Sequence, residues 1–133
     1  MKMKPIFLTL VLTLALLSCS KKEETKGSAE LVGVWKLTEV LSDPGDGSGT
    51  FHGVNSQKVI EFHADGTVTS NGDLCVLSIA ADASSSGTYS LADYSIHSPG
   101  CALSMPVVFQ KEGTTLTIYY PCIEGCAARF TKK

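Results

Sequence analysis

Five cysteines, three histidines and one aspartate-bearing glycine loop are the residues of this chain best suited to chemistry. His52, His63 and His97 are scattered, and a catalytic base needs a nucleophile or a carboxylate placed beside it. No Gly-x-Ser-x-Gly or His-Glu-x-x-His segment accompanies any of them, so they read as loop histidines. The run Asp43-Pro44-Gly45-Asp46-Gly47-Ser48-Gly49-Thr50 offers oxygen ligands at alternate positions, as a calcium loop does. The closing Glu of such a loop falls at Gln57, and flanking helices are missing from the pattern. The run therefore reads as a flexible glycine-rich connection. Cys122 and Cys126 are spaced closely enough to open a zinc site, but no second close pair completes one. Tyr119-Tyr120 reads either as a recognition pair or as one ring inward and one outward on a strand. No catalytic constellation remains, and the sequence points away from an enzyme and from any cofactor or metal.

Cys19 belongs to a different kind of chemistry. Lys2 and Lys4 precede an apolar stretch from Ile6 to Leu17 that is broken only by two threonines. That is the length of a secretory h-region, and it falls short of the roughly 20 residues a spanning helix requires. The stretch ends in Leu16-Leu17-Ser18-Cys19. This segment resembles the lipobox of bacterial lipoproteins. The resemblance implies that residues 1–18 are a signal peptide, that cleavage frees Cys19, and that acyl chains on Cys19 hold the protein in a membrane. An ordinary secretory signal cut near Ser18 is the plainer alternative. Residues 20–28 are polar and charged and cannot bury enough apolar surface to fold, so residues 19–30 read as a lipidated flexible tether. Lys22-Glu23-Glu24, close behind the cysteine, resembles the lipoprotein export signal of Bacteroidetes. It implies a cell-envelope location at the outer membrane, on its outer face, against the alternative of a charged linker.

Removing residues 1–18 leaves 115 residues, enough for one domain, and takes the formal net charge from -2 to -4 through the loss of Lys2 and Lys4. That balance argues against a nucleic-acid partner. Setting Cys19 aside leaves Cys75, Cys101, Cys122 and Cys126, an even number that suggests two disulfides in an exported chain.

From Leu31 onward, apolar and polar residues alternate between recurring turn signals, and no helical period persists. The pattern predicts eight strands: Gly33–Leu41, Gln57–Phe62, Thr67–Val76, Ser86–Leu91, Tyr94–His97, Val107–Lys111, Thr114–Tyr120 and Ala127–Thr131. Tight turns at Ala64-Asp65-Gly66, Ala92-Asp93 and Glu112-Gly113 follow the even strands. Longer connections at 42–56, 77–85, 98–106 and 121–126 follow the odd ones. If the chain runs up and down, the tight turns gather at one end and the long loops at the other. The fold class is then all-β, an eight-stranded antiparallel up-and-down barrel over residues 31–133, with a two-sheet sandwich as the alternative. Trp35, Leu37, Ile60, Phe62, Val68, Tyr89, Leu91, Val107, Phe109, Leu116, Ile118, Tyr120 and Phe130 fall on the inward face. Many are large, so a filled interior competes with a ligand cavity.

Leu31-Val32-Gly33-Val34-Trp35-Lys36-Leu37, Ile60-Glu61-Phe62-His63-Ala64-Asp65-Gly66-Thr67-Val68 and Gly87-Thr88-Tyr89-Ser90-Leu91 together resemble the small lipocalin-like lipoproteins of Bacteroidetes. The likeness covers most of residues 31–131. It implies a barrel that binds small apolar molecules or serves as a scaffold, with Gly33 and Trp35 forming its closed-end motif. Secreted lipocalins often carry an arginine on the last strand that covers the tryptophan. Here the only candidate, Arg129, alternates outward.

Two functions follow as expectations: a membrane-anchored barrel binding a small apolar ligand, or a protein-interaction module with a filled barrel, acting as an inhibitor or accessory subunit of an envelope complex. Four cysteines allow three pairings. The strand order favours Cys75–Cys101 and Cys122–Cys126, the latter across a three-residue hairpin loop with Gly125 left-handed and Cα atoms about 4.5–5.5 Å apart. The former requires the 98–106 loop to fold back over the rim.

Overall fold

The computed structural model describes residues 29–102 and 106–133. The signal segment, the lipidation residue Cys19 and the tether up to residue 28 lie outside the described residues. Nine strands form one antiparallel sheet: β1 (Gly33–Ser42), β2 (His52–Gly53), β3 (Val59–Phe62), β4 (Thr67–Ser70), β5 (Ser85–Ser90), β6 (Ser95–His97), β7 (Val107–Glu112), β8 (Thr115–Tyr119) and β9 (Cys126–Lys132). Pairing of β1 with β9 closes an eight-stranded barrel from all of these but β2. The short β2 extends the same edge of β1 that β3 occupies, at Glu39 and Val40.

Alternation explains the faces. Trp35, Leu37, Ile60, Phe62, Val68, Leu116, Ile118 and Phe130 are all at or below 1% exposure. Thr88 and Gln110, between them in the pattern, are exposed. In β1 the alternation slips by one at Thr38, where a bulge lies between Leu37 and Glu39. The extra residue turns Val40 inward instead of Glu39. Gly66 and Gly113 adopt positive φ in the β3–β4 and β7–β8 turns, and Asp65 accepts hydrogen bonds from the Thr67 amide and hydroxyl at 2.9 and 2.6 Å. These tight turns share one end with the start of β1. A helical turn at residues 29–31 closes that end, its Leu31 carbonyl accepting the Trp35 indole N–H at 2.8 Å.

Two strand expectations need correction. The third predicted strand, Thr67–Val76, stops at Ser70. The Asn71 side chain accepts from the Val59 amide and donates to the Gln57 carbonyl, and Gly72 passes so close to the Ala80 carbonyl that no side chain fits. The chain therefore leaves the wall and folds across the barrel mouth, although Leu74, Val76 and Leu77 have strand-like types. The second correction is β2, which the glycine-rich 42–56 connection forms without any strand signature. Tyr89 and Leu91, expected inward, do pack against the core, at its partly buried edge.

Candidate functional site

The interior is occupied by side chains. A ligand-sized void would leave its lining accessible, yet the inward residues just named are sealed, and Phe109 is only 4% exposed. Phe62 packs against Tyr89 and Phe109 with ring centroids 5.1 and 5.5 Å apart. At the closed end Trp35 is fully buried. Arg129 points outward, pairs with Glu39 at 3.3 Å and stacks on Phe51, while Lys132 lies over the Trp35 ring at 5.4 Å. Lys132 also donates to the Glu30 carbonyl at 2.6 Å. Gly33 has φ +129°, and a Cβ there would press on the Lys132 side chain.

The open end is plugged. Residues 71–79 lie across the mouth as a lid, with Leu74 buried beneath it. Lys58 holds the lid from inside: its ammonium donates to the carbonyls of Asp73 at 2.6 Å and Ser78 at 3.0 Å, and the residue is fully buried. Ser56 and Ser85 donate to the Ile79 and Gly72 carbonyls, tying both ends of the lid to the barrel. Burial lowers the Lys58 pKa from 10.5 to about 8, against the opposing pull of Asp73. Lys58 lies 5.8 Å from the Tyr120 ring centroid. The Tyr120 hydroxyl is buried with no hydrogen-bond partner among the described residues, and burial pushes its pKa up, with Asp73 adding to the shift. Lys58 was missed in the sequence reading, although its spacing from Ile60 and Phe62 carries the inward period.

Two disulfides staple the rim. Cys75 in the lid is bonded to Cys101 in the connection after β6, with Cα atoms 4.9 Å apart. The lid carries Cys75 off the wall, so both partners approach across the mouth. Cys122 is bonded to Cys126, with Cα atoms 6.0 Å apart. The pairing matches the expectation, but the loop does not. The β8–β9 ladder ends at Tyr119–Ala127, so Cys122 lies inside a wider loop, and Gly125 is not among the residues with positive φ. The Asp43 amide donates to the Gly125 carbonyl at 2.8 Å and ties the β1–β2 connection to that loop.

The Asp43 carboxylate accepts the amides of Gly45, Gly47 and Gly49 at 2.7–3.0 Å. These bonds, that from Gly49 foremost, lower its pKa and organise the loop. Among the described residues no group of three or more His, Cys, Asp or Glu is placed to hold a metal. His52 is exposed in β2, and His63 contacts Thr69 at 3.1 Å. His97 contacts Ser95, whose hydroxyl donates to Asp93 at 2.7 Å. The serine sits in the middle of that chain and gives its proton to the carboxylate, so the histidine is not placed between a nucleophile and an orienting acid.

What the rim exposes is apolar and acidic. Ile123, at the tip of the Cys122–Cys126 loop, is wholly in solvent, and Val76 and Ile79 of the lid are about half exposed. The four open-end connections contain Asp43, Asp46, Asp73, Asp82 and Glu124 but no arginine, and their one lysine is the buried Lys58. Tyr120 is buried while Tyr119 faces out on the wall. A groove of about 730 Å³ opens beside β6, where Thr69, Thr88, Ile96, His97 and Val107 are among a lining free of Asp, Glu, Lys and Arg. No family model, curated protein or solved structure matches this chain.

Proposed function

We propose that this chain is a lipid-anchored envelope protein whose lipocalin-like barrel works as a protein-interaction module, an inhibitor or accessory subunit of a larger envelope complex. One observation carries the reading: the barrel is packed from Trp35 at one end to the Leu74 plug at the other. A barrel shaped around an apolar guest keeps inward side chains free to touch it, and here they touch one another. Stapled rim loops also lose little entropy on docking, which favours a preformed recognition surface. Anchoring through Cys19 at the outer membrane belongs to the same proposal and would set the module among envelope proteins. The described chain begins at residues 29–31, at the closed end, which leaves the rim at the end opposite the point where the tether would attach. The uncharged groove beside β6 favours a second reading, a small apolar ligand held on the flank of the barrel.

Native mass spectrometry of the mature protein extracted from its own membrane, together with chemical cross-linking in intact cells, separates the two. The expected outcome is a discrete cross-linked protein complex and a protomer mass free of any guest beyond its own acyl chains. A stoichiometric small apolar guest and no complex would replace the first reading with the second.

A further inference from the structure

The rim combines features that isolated surface residues lack. Ile123 is fully exposed on a loop closed by Cys122–Cys126 and tied to β1 through Asp43. Val76 and Ile79 lie at the same end, on a lid fixed by Cys75–Cys101 and by Lys58. Scattered apolar residues on a surface are ordinary; these three aliphatic side chains differ in standing on stapled loops at one end of the barrel. Around them stand the exposed carboxylates of Asp73, Asp82 and Glu124 with no exposed basic residue in the same connections. Apart from the buried Lys58, the cations of the domain lie on the walls and toward the closed end, as Lys111, Arg129 and Lys132 do.

We infer that the rim docks on a basic protein surface carrying an apolar pocket, and that Ile123 is the side chain that enters the pocket. The inference rests on the interaction-module reading and adds the chemistry of the partner. Charge complementarity selects this occupant. A second copy of the chain would bring acidic rim against acidic rim, and an anionic lipid surface would repel it in the same way. Lys and Arg on the partner would both speed encounter and exclude acidic competitors. The isoleucine supplies the apolar anchor, since fully burying such a side chain is worth roughly 1.5–3 kcal/mol.

The experiment places a photo-cross-linking residue at position 123, or at Thr114 in a closed-end turn, in the full-length exported protein in intact cells. The expected result is a protein adduct from position 123 whose attached peptide is rich in Lys and Arg, with far less from position 114. Its yield should fall at least fivefold in Asp82→Lys/Glu124→Lys and at raised ionic strength. These residues are exposed, so unchanged export and intact disulfides verify folding. Adducts from position 114 alone would leave the interaction module standing and overturn the rim inference. The rim inference also fails if the yield is indifferent to charge reversal, if the attached peptide is acidic, or if lipid or a second copy is captured. No protein adduct from either position would overturn the interaction-module reading itself.

Discussion

The buried Lys58 makes stability depend on pH in an unusual direction. Its pKa is about 8 in the folded chain and 10.5 by its ordinary value, so between those limits the unfolded chain holds more protons. Unfolding stability therefore rises with pH across the window, by up to about 1.4 kcal/mol per unit. From pH 8 to pH 10 the gain comes to about 2 kcal/mol. Tyr120 acts oppositely: its folded pKa is raised by burial, so its contribution is lost only above the ordinary tyrosine value near 10. Measurements should stay below that point. Lys58→Met removes the charge but leaves the carbonyls of Asp73 and Ser78 without their donor, at about 1–3 kcal/mol each. The net change at neutral pH is thus a poor diagnostic, and the slope is the informative quantity. Urea denaturation of the chain beginning after Cys19, followed by the fluorescence of the single tryptophan, Trp35, gives both. The wild type should gain stability from pH 8 to pH 10, Lys58→Met should be flat, and Tyr120→Phe should keep the wild-type slope. A flat wild-type profile, or an equal rise in Lys58→Met, would refute the account of Lys58 as a charged group buried under the lid.

Trp35→Ala should cost about 3–5 kcal/mol, because the ring is fully buried and its N–H satisfies the Leu31 carbonyl; a loss under about 1 kcal/mol by calorimetry or denaturation would contradict that placement. Replacing Cys75 and Cys101 together by Ser should cost about 3–4 kcal/mol for a crosslink spanning 26 residues, against about 2 or less for the 4-residue Cys122–Cys126 loop. Peptide mapping without reduction should recover these two pairs, and a Cys101–Cys122 or Cys101–Cys126 peptide would overturn them. Intact-mass analysis of the membrane-bound protein should show loss of residues 1–18 and added acyl mass on Cys19, while a retained leader or an unmodified thiol would remove the lipoprotein reading.

The barrel was legible because its information is local. Alternation from Trp35 through Phe130 sets the two faces of each strand, since successive side chains point to opposite sides whatever lies beyond. Turn chemistry at Asp65-Gly66 and Gly113 sets where strands reverse, and strand parity then sorts the connections between two ends. The slip of period at Thr38 was not read from the sequence; it emerges where β1 pairs with β9 and turns Val40 inward.

The rim was not legible in the same way, because it depends on where long connections go after they leave the wall. Leu74-Cys75-Val76 has strand-like types, but Asn71-Gly72-Asp73 before it is a turn signal that the strand expectation passed over; the approach of Gly72 to Ala80 and the Asn71 bonds to the start of β3 turn the chain across the mouth. That turn places Leu74 as a plug and seals Lys58 inside, two outcomes a lysine and a leucine in isolation do not imply. The sequence by itself determined an all-β domain, its inward face and an even set of cysteines able to bridge. Tertiary structure decided that the interior is full, that the lid brings Cys75 to Cys101, and that apolar and acidic side chains share the stapled rim. Those outcomes depend on contacts between segments far apart in the chain, which no local period records.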